Sequence, residues 1–310
     1  MAAFVVTGGA GFIGSHVVDR LIQDGHHVAV VDDLSTGSRE NVNPNATFYQ
    51  TDIRSDDLSS IFKKEKPDFV DHHAAQMDVR RSVQEPLFDA DVNILGSLNL
   101  IENSLRHKVK KIVYISTGGA VYGEPDYLPV DENHPIRPLC QYGISKHTVE
   151  HYLYFYGQTY GLRYTVLRYP NVYGPRQNPF GEAGVNAIFI GKMLRGEVPT
   201  IFGDGEQLRD YVYVSDIVRV NIAALERGDG QIYNIGSGIG TSVNQIYEKL
   251  QQIIGFPHAP IYAEPRTGEI QKVSLESSKA WNELDWKVQI GLDEGLSRTV
   301  DWFRTHLPAR

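Results

Sequence analysis

The sequence predicts an α/β fold, a doubly wound parallel sheet joined to a smaller C-terminal α/β domain, on two observations. Short β-branched runs alternate with longer segments of helical spacing through the first half of the 310 residues. That alternation calls for a parallel sheet covered by helices on both faces. A glycine-rich turn, Thr7-Gly8-Gly9-Ala10-Gly11-Phe12-Ile13-Gly14, stands where the first run gives way to the first helical segment.

The runs expected as strands are Ala3–Thr7, His27–Asp32, Ala46–Gln50, Asp68–His73, Lys111–Ser116 and Tyr164–Arg168. Between them, Ile13–Asp24, Leu58–Lys64, Asp91–His107 and Tyr142–Tyr160 carry apolar residues at helical spacing. Right-handed crossovers leave few ways to connect them. Beyond about Tyr173 the pattern loosens. Gly174–Gly184 holds three glycines and two prolines and reads as a loop beside a ligand. A helix at Val185–Leu194, a strand at Asp210–Val214, a helix at Asp216–Glu226 and a strand–helix section ending in Leu292–Arg304 follow. Neither a repeat nor a linker interrupts the chain.

Composition narrows the function classes. With 41% hydrophobic residues over this length, the chain can bury a core without disulfides or metals. The single cysteine, Cys140, can form no intramolecular disulfide; a reducing cytoplasm and a packing role are expected. A net charge of −8 argues against broad polyanion binding, so no nucleic-acid partner is expected, and phosphates are to be gripped locally. No run of eighteen apolar residues and no basic–apolar leader occurs, so neither a membrane span nor a signal peptide is expected. His72 and His73 end a strand without further ligands nearby in sequence, and no metal site is expected.

The glycine spacing has a chemical reason. Gly8 permits the strand-to-helix turn, Gly11 lets backbone approach a pyrophosphate, and Gly14 lets the helix lie close to the sheet. The helix opening at Phe12 and Ile13 then presents unpaired N–H groups and a partial positive charge to phosphates. Asp32 ends the second strand eighteen residues after Gly14, where a carboxylate accepts from both ribose hydroxyls and repels a 2′-phosphate. The expected cofactor is therefore NAD rather than NADP. Asp33 and Ser35 fall on the same ribose side, and Asp52-Ile53 is a candidate adenine contact, with a plain loop acid as the bland alternative. The fold becomes Rossmann-type, with residues 1–172 expected to bind NAD. Residues 173–310 are expected mainly as the substrate domain, with segments able to return to the first and a cleft between the two.

Tyr142-Gly143-Ile144-Ser145-Lys146 opens the fourth long helical segment. Tyrosine and lysine four apart share a helix face. A phenol of ordinary pKa about 10 is a poor base; a neighbouring ammonium and the positive nicotinamide of bound NAD are expected to lower that value. Alone the pair is a common match; behind a dinucleotide fingerprint it is a catalytic candidate.

Taken together, Gly8-x-x-Gly11-x-x-Gly14, Asp32, Ala74-Ala75, Asn93, Ser116-Thr117, Tyr142-x-x-x-Lys146, Arg168-Tyr169-x-Asn171-Val172-Tyr173-Gly174-Pro175 and Arg209-Asp210-Tyr211-Val212-Tyr213-Val214-x-Asp216 resemble the extended short-chain dehydrogenase/reductase family. The similarity runs end to end and is strongest to bacterial UDP-glucose 4-epimerases. It implies interconversion of UDP-glucose and UDP-galactose by transient oxidation at C4, with a UDP-sugar as the small-molecule partner. It also implies cofactor contacts from Ala74, Ala75, Gln76, Asn93 and Tyr169. Substrate contacts are implied for Asn171, Val185, Phe202, Arg209 and Arg266, with Glu269 near the nucleotide ribose. The planar donor forks of Arg209 and Arg266 suit a diphosphate.

One position departs from the family pattern. The hydroxyl usual five residues before the glycine of Tyr122-Gly123 is replaced by Gly118. The nearest hydroxyls are Thr117 and Ser116, and the Gly118-Gly119 turn is expected to let Thr117 act with Tyr142. A 4,6-dehydratase needs an acid and a base after that threonine, where this chain has Gly118-Gly119-Ala120. A UDP-glucuronate 4-epimerase or decarboxylase differs only around the sugar C6. A non-catalytic NAD sensor would have no use for Tyr142 and Lys146. Val273, where the family carries a bulky tyrosine, implies room for N-acetylated UDP-sugars. The resemblance further implies a homodimer built by pairing the Asp91–His107 and Tyr142–Tyr160 helices into a four-helix bundle.

Overall fold

Residues 1–180, 184–265 and 270–307 are described by a computed structural model, so Arg266 and Glu269 lie outside the described residues. In chain order the elements are β1 (Ala3–Thr7), α1 (Phe12–Gln23), β2 (His27–Asp32), β3 (Thr47–Gln50), α2 (Asp57–Glu65), β4 (Phe69–His72), α3 (Val79–Gln84) and α4 (Pro86–Ala90). A π-helical turn (Asp91–Gly96), α5 (Ser97–Arg106), β5 (Lys111–Thr117), α6 (Gln141–Tyr160), β6 (Arg163–Tyr169) and β7 (Asn171–Tyr173) follow. The remainder is α7 (Val185–Leu194), β8 (Thr200–Phe202), β9 (Leu208–Tyr213), α8 (Val214–Glu226), β10 (Gln231–Asn234), β11 (Gly240–Ser242), α9 (Val243–Ile254), β12 (Ile261–Ala263), α10 (Ser278–Leu284) and α11 (Leu292–His306).

Seven strands form the main sheet in the order β10-β6-β5-β4-β1-β2-β3, every pair parallel. The strand order reverses direction between β1 and β4. Crevices at such a switch point, outside the carboxyl ends of the strands, are where ligands bind in open α/β sheets. Alternate strand residues serve two cores. Val6 and Val30 pack with Val17 and Leu21 of α1, Ile217 and Ala224 of α8, and Trp286. Val5, Ala29 and Val31 pack with Leu58 of α2, Leu100 of α5, and Val149 and Leu153 of α6. Both faces of the sheet are thus covered, which is why its strands read as apolar runs rather than as alternating ones.

A third core joins α7, α9 and α11 through Phe189, Ile190, Tyr247, Leu250, Val300 and Phe303. Beside it lie the small sheets β11-β9-β7 and β12-β8. Two features of this half escaped the sequence pattern. The strand β10 is short and polar at both ends, Gln231 and Asn234, yet it docks on β6 in the main sheet. The helix α9 is started by a capping box, in which the Ser242 hydroxyl accepts from the Gln245 N–H and the Gln245 side chain accepts from the Ser242 N–H. The segment expected as one helix from Asp91 to His107 is instead a π-helical turn followed by α5, with α3 and α4 ahead of it. No helix among the described residues is long and apolar enough to cross a membrane.

Candidate active site

The turn between β1 and α1 is packed to the limit of bare backbone. Gly8 has φ of +68°, and a Cβ there would sit 2.6 Å from the Ala74 nitrogen. A Cβ on Gly14 would sit 2.3 Å from the Gly8 carbonyl oxygen. Gly11 caps α1, whose first turn contains no acidic residue to offset its positive end. Phe12 packs edge-on against His16, and Ile13 packs against the first core.

Asp32 ends β2 with its carboxylate turned into this cradle. It accepts from the Ala10 N–H at 3.0 Å and from the Leu34 N–H at 2.8 Å, and its burial raises its pKa. Asp33 accepts from the N–H and hydroxyl of Ser35 at the exposed rim. Asp52 is engaged by Arg54, which holds its carboxyl below the usual range, while Ile53 is buried beneath Gly96. These residues fit NAD: Gly8–Gly14 and α1 would hold its diphosphate, and Asp32 its adenosine ribose.

Ala74, Ala75 and Gln76 follow β4 past Gly8. The Gln76 N–H donates to Asn93 Oδ1 at 2.8 Å; Asn93 Nδ2 donates in turn to the Gln76 carbonyl, Asp89 and the Ser145 hydroxyl. Asn93 therefore ties the β4 loop to α6 from within the π-helical turn, a distortion frequent at functional sites. Tyr169, at the end of β6, accepts from Asn221 Nδ2. His72 bonds Thr7 and Ser97, and His73 lies 3.1 Å from the buried Asp71. No group of three metal-ligating side chains occurs among the described residues.

Tyr142 and Lys146 lie on the first two turns of α6. The Cys140 sulfur caps that helix by accepting from the Gly143 N–H. A Cβ on Gly143 would sit 2.6 Å from the Ala120 carbonyl oxygen, so glycine is what lets the helix close on the loop after β5. The approach brings the Tyr142 phenol beside the Thr117 side chain. Burial pushes the Tyr142 phenol above its usual value. Burial also draws Lys146 down to about 7, against the pull of Glu150 and Asp89, with its Nζ 4.3 Å from the centre of the Tyr114 ring. The lowered phenol expected beside Lys146 is thus not produced by the chain's own groups: desolvation dominates, and Cys140 and Asp89 push the same way.

The two candidate hydroxyls part ways. Ser116 turns to the opposite side, donating to Glu150 Oε1 at 2.6 Å. Thr117 is the one beside Tyr142. A side chain at Gly118 would not reach Tyr142 either: its Cβ would fall 2.3 Å from Leu275 Cδ1, inside an apolar cluster of Val121, Tyr122, Val130, Val273 and Leu275. Asn171 Oδ1 comes within 3.7 Å of a Cβ built on Gly119, beside Thr117. Val273 is 3% exposed, so its short side chain fills that cluster rather than an open wall.

Toward the C-terminal half, a cleft of about 570 Å³ is lined by Phe202, Gln207, Tyr262, Pro265 and Gln271 among others. Gln207 Nε2 donates to the Phe202 carbonyl at 3.0 Å. Arg209, on β9, donates to the Leu208 carbonyl, and the Leu208 N–H donates to the Gln271 carbonyl, so the arginine and the 270–275 segment share one wall. Val185 opens α7 on the edge of the third core. Sequence reasoning missed Glu150 and Asp89, the acids nearest Lys146. The spacing 142, 146, 150 along one helix face was the available signal for the first.

A family model described as the NAD dependent epimerase/dehydratase family matches residues 4–236. A putative UDP-glucose 4-epimerase of Methanocaldococcus jannaschii is 49% identical over 302 residues, covering 97% of this chain and 98% of that protein. The UDP-glucose 4-epimerase of Thermotoga maritima, solved with UDP-glucose, superposes with a TM-score of 0.96 at 52% identity, over 97% of this chain and 98% of that one. The UDP-N-acetylglucosamine 4-epimerase of Methanobrevibacter ruminantium, solved with UDP-N-acetylmuramic acid, gives 0.92 at 37% identity, over 97% and 98%.

Proposed function

The chain belongs to the NAD dependent epimerase/dehydratase family, and from that premise we propose that it interconverts UDP-glucose and UDP-galactose by inverting the sugar's C4. The observation that carries the reading is the placement of Tyr142 beside Thr117 at the end of β5, followed by Gly118-Gly119-Ala120 with no acid for dehydration. Bound NAD supplies the hydride acceptor, and later the donor, at C4, and a positive ring when oxidised. Thr117 and Tyr142 hold the O4 hydroxyl between them; Tyr142 takes its proton and returns it after the sugar has presented its other face. Lys146 supplies positive charge to the phenolate. Proton transfer by such a placed base contributes roughly two to four orders of magnitude.

Residues 1–172 hold NAD in this reading, and 173–310 mainly the nucleotide sugar, with Asn171, Val185, Phe202 and Arg209 around it and Arg266 and Glu269 completing the set. The N-acetyl extension is supported by the likeness to the UDP-N-acetylglucosamine 4-epimerase. The working unit is a homodimer in the cytoplasm. Exposed Leu95, Ile144, Tyr152 and Phe155 support pairing through the π-helical turn and α6, and Cys140 is a free thiol suited to a reducing compartment. The test is incubation of purified protein with UDP-galactose and no added cofactor, followed by separation of the sugar nucleotides. UDP-glucose is expected; no conversion, repeated with NAD supplied, refutes the assignment of substrate.

A further inference from the structure

Beneath Tyr142 and Lys146 lies a buried ion pair that the reaction as described does not use. Glu150 stands one turn beyond Lys146 on α6, and Arg168 reaches it from β6, with Nε 3.0 Å from Oε1 and Nη2 2.5 Å from Oε2. Both side chains are almost wholly out of water, at 2% and 4% exposure. The Ser116 hydroxyl donates to Glu150 Oε1, and His147 Nδ1 meets Oε2 at 2.9 Å. Arg168 Nη1 donates to the Tyr122 hydroxyl, which donates to Asn234 Oδ1, and Asn234 Nδ2 donates to the Val130 carbonyl. Val130 in turn bridges to Leu275, the residue packed over Gly118.

We propose that Glu150 is a positioning residue for the C4 inversion, fixing the end of β5 that carries Thr117 and placing a buried negative charge one helical turn from Lys146. Stability alone accounts poorly for the pair, because apolar residues of similar volume commonly serve a fold as well as a buried ion pair does. The placement accounts for it better. Ser116, adjacent to Thr117, is clamped by the same carboxylate oxygen that Arg168 grips, so the Thr117 hydroxyl is held toward Tyr142. Burial opposes charge on Glu150, yet His147, Arg168 and Ser116 outweigh it and hold the carboxyl at about 2, so it stays ionised wherever the enzyme works.

The groups facing Lys146 come from four elements. Asp89 of α4 and Glu150 of α6 favour its charge; His72 of β4, kept neutral by burial and by Lys146 itself, adds none; Tyr114 of β5 offers its ring face. Tyr142 lies one turn back on the same helix. Glu150 is the larger of the two favourable influences. Its removal lets Lys146 lose its proton at lower pH.

The inference rests on the epimerase reading, which wild-type turnover of UDP-galactose establishes first, so a failure confined to the variants falls on Glu150 alone. E150Q, E150D and the double variant E150Q/R168M are compared by pH–rate profile and thermal unfolding. For E150Q, kcat is expected to fall at least tenfold with little change in KM, and the alkaline limb of the profile to move down by about one pH unit or more. E150D keeps the charge and is expected to return the limb to its wild-type position. The double variant removes both charges of the pair, so neither is left buried without its partner and it is expected to regain thermal stability while keeping the shifted limb; should E150Q not fold, it carries the test. An unshifted limb in the double variant, or activity regained in step with stability, overturns the proposal and leaves Glu150–Arg168 a purely structural pair.

Discussion

Replacing Lys146 with methionine is expected to stabilise the protein while disabling it, and the gain is expected to vanish with rising pH. Lys146 is 3% exposed, and burial carries its pKa from 10.5 to about 7. A drop of about 3.5 units at about 1.4 kcal/mol each puts roughly 5 kcal/mol of penalty on the charged folded state. Local relaxation and entering water reduce such penalties, so a measured gain of at least about 2 kcal/mol is expected for K146M at pH 6. The sign with pH follows from proton counting. Below pH 7 the lysine is charged in both folded and unfolded chains, and the full penalty is present. Between about 7 and 10.5 the unfolded chain holds a proton that the folded one has released, so wild-type stability rises with pH and the gap to K146M closes. Urea unfolding of both proteins, freed of NAD, at pH 6 and pH 9.5 reads the effect, and titrations common to both cancel in the difference. A gap that is absent at pH 6, or that widens at pH 9.5, refutes the account of Lys146 as a lysine held charged against its burial.

Y142F is expected to lose roughly two to four orders of magnitude in turnover of UDP-galactose with an unchanged melting curve, and T117V at least tenfold; S116A, which breaks the clamp to Glu150 but keeps the Thr117 hydroxyl, is expected to lose less than T117V. G118A forces a methyl against Leu275; a loss of roughly 1–3 kcal/mol is expected from overpacking, relieved in part by adding L275A, as read by denaturant midpoints. L95E/F155E places charge on the exposed apolar face of the π-helical turn and α6; light scattering is expected to show a monomer where the wild type gives a dimer, and a wild-type monomer would end the dimer reading.

Much of the first half was legible because its strands are buried on both sides. Val5, Val6, Ala29, Val30 and Val31 each face a core, so the runs stand out as apolar whatever the register. The glycines at 8, 11 and 14 were legible for a different reason: each marks a place where a side chain would meet backbone, a constraint that leaves its trace in sequence. Gly118 was read as a missing hydroxyl. Its cause lies 157 residues away in Leu275, a contact that local spacing cannot reveal. Tyr142 and Lys146 were visible as a pair, yet their charge states depend on burial and on Asp89, Glu150 and Arg168, which converge from α4, α6 and β6 only in three dimensions. The strand β10 was hidden because its pairing partner, not its composition, makes it a strand: Gln231 and Asn234 gain a ladder only beside Thr165–Arg168.

That docking of β10 on β6 also governs how the molecule can be cut and how it can move. The segment from Asn171 to Gly230, which carries α7, β8, β9 and α8, leaves the main sheet at one strand and rejoins it at the neighbouring one. It is a loop stapled at both ends, so a swing like that of a lid on a single hinge would have to tear a sheet edge. A fragment ending at residue 172 would expose the ladder groups of β6 as a bare edge, an invitation to self-association. A circular permutant opened within an exposed turn such as Gly228–Gly230 would strain the same seam, whereas one opened at the end of α9 around Gly255 leaves it whole.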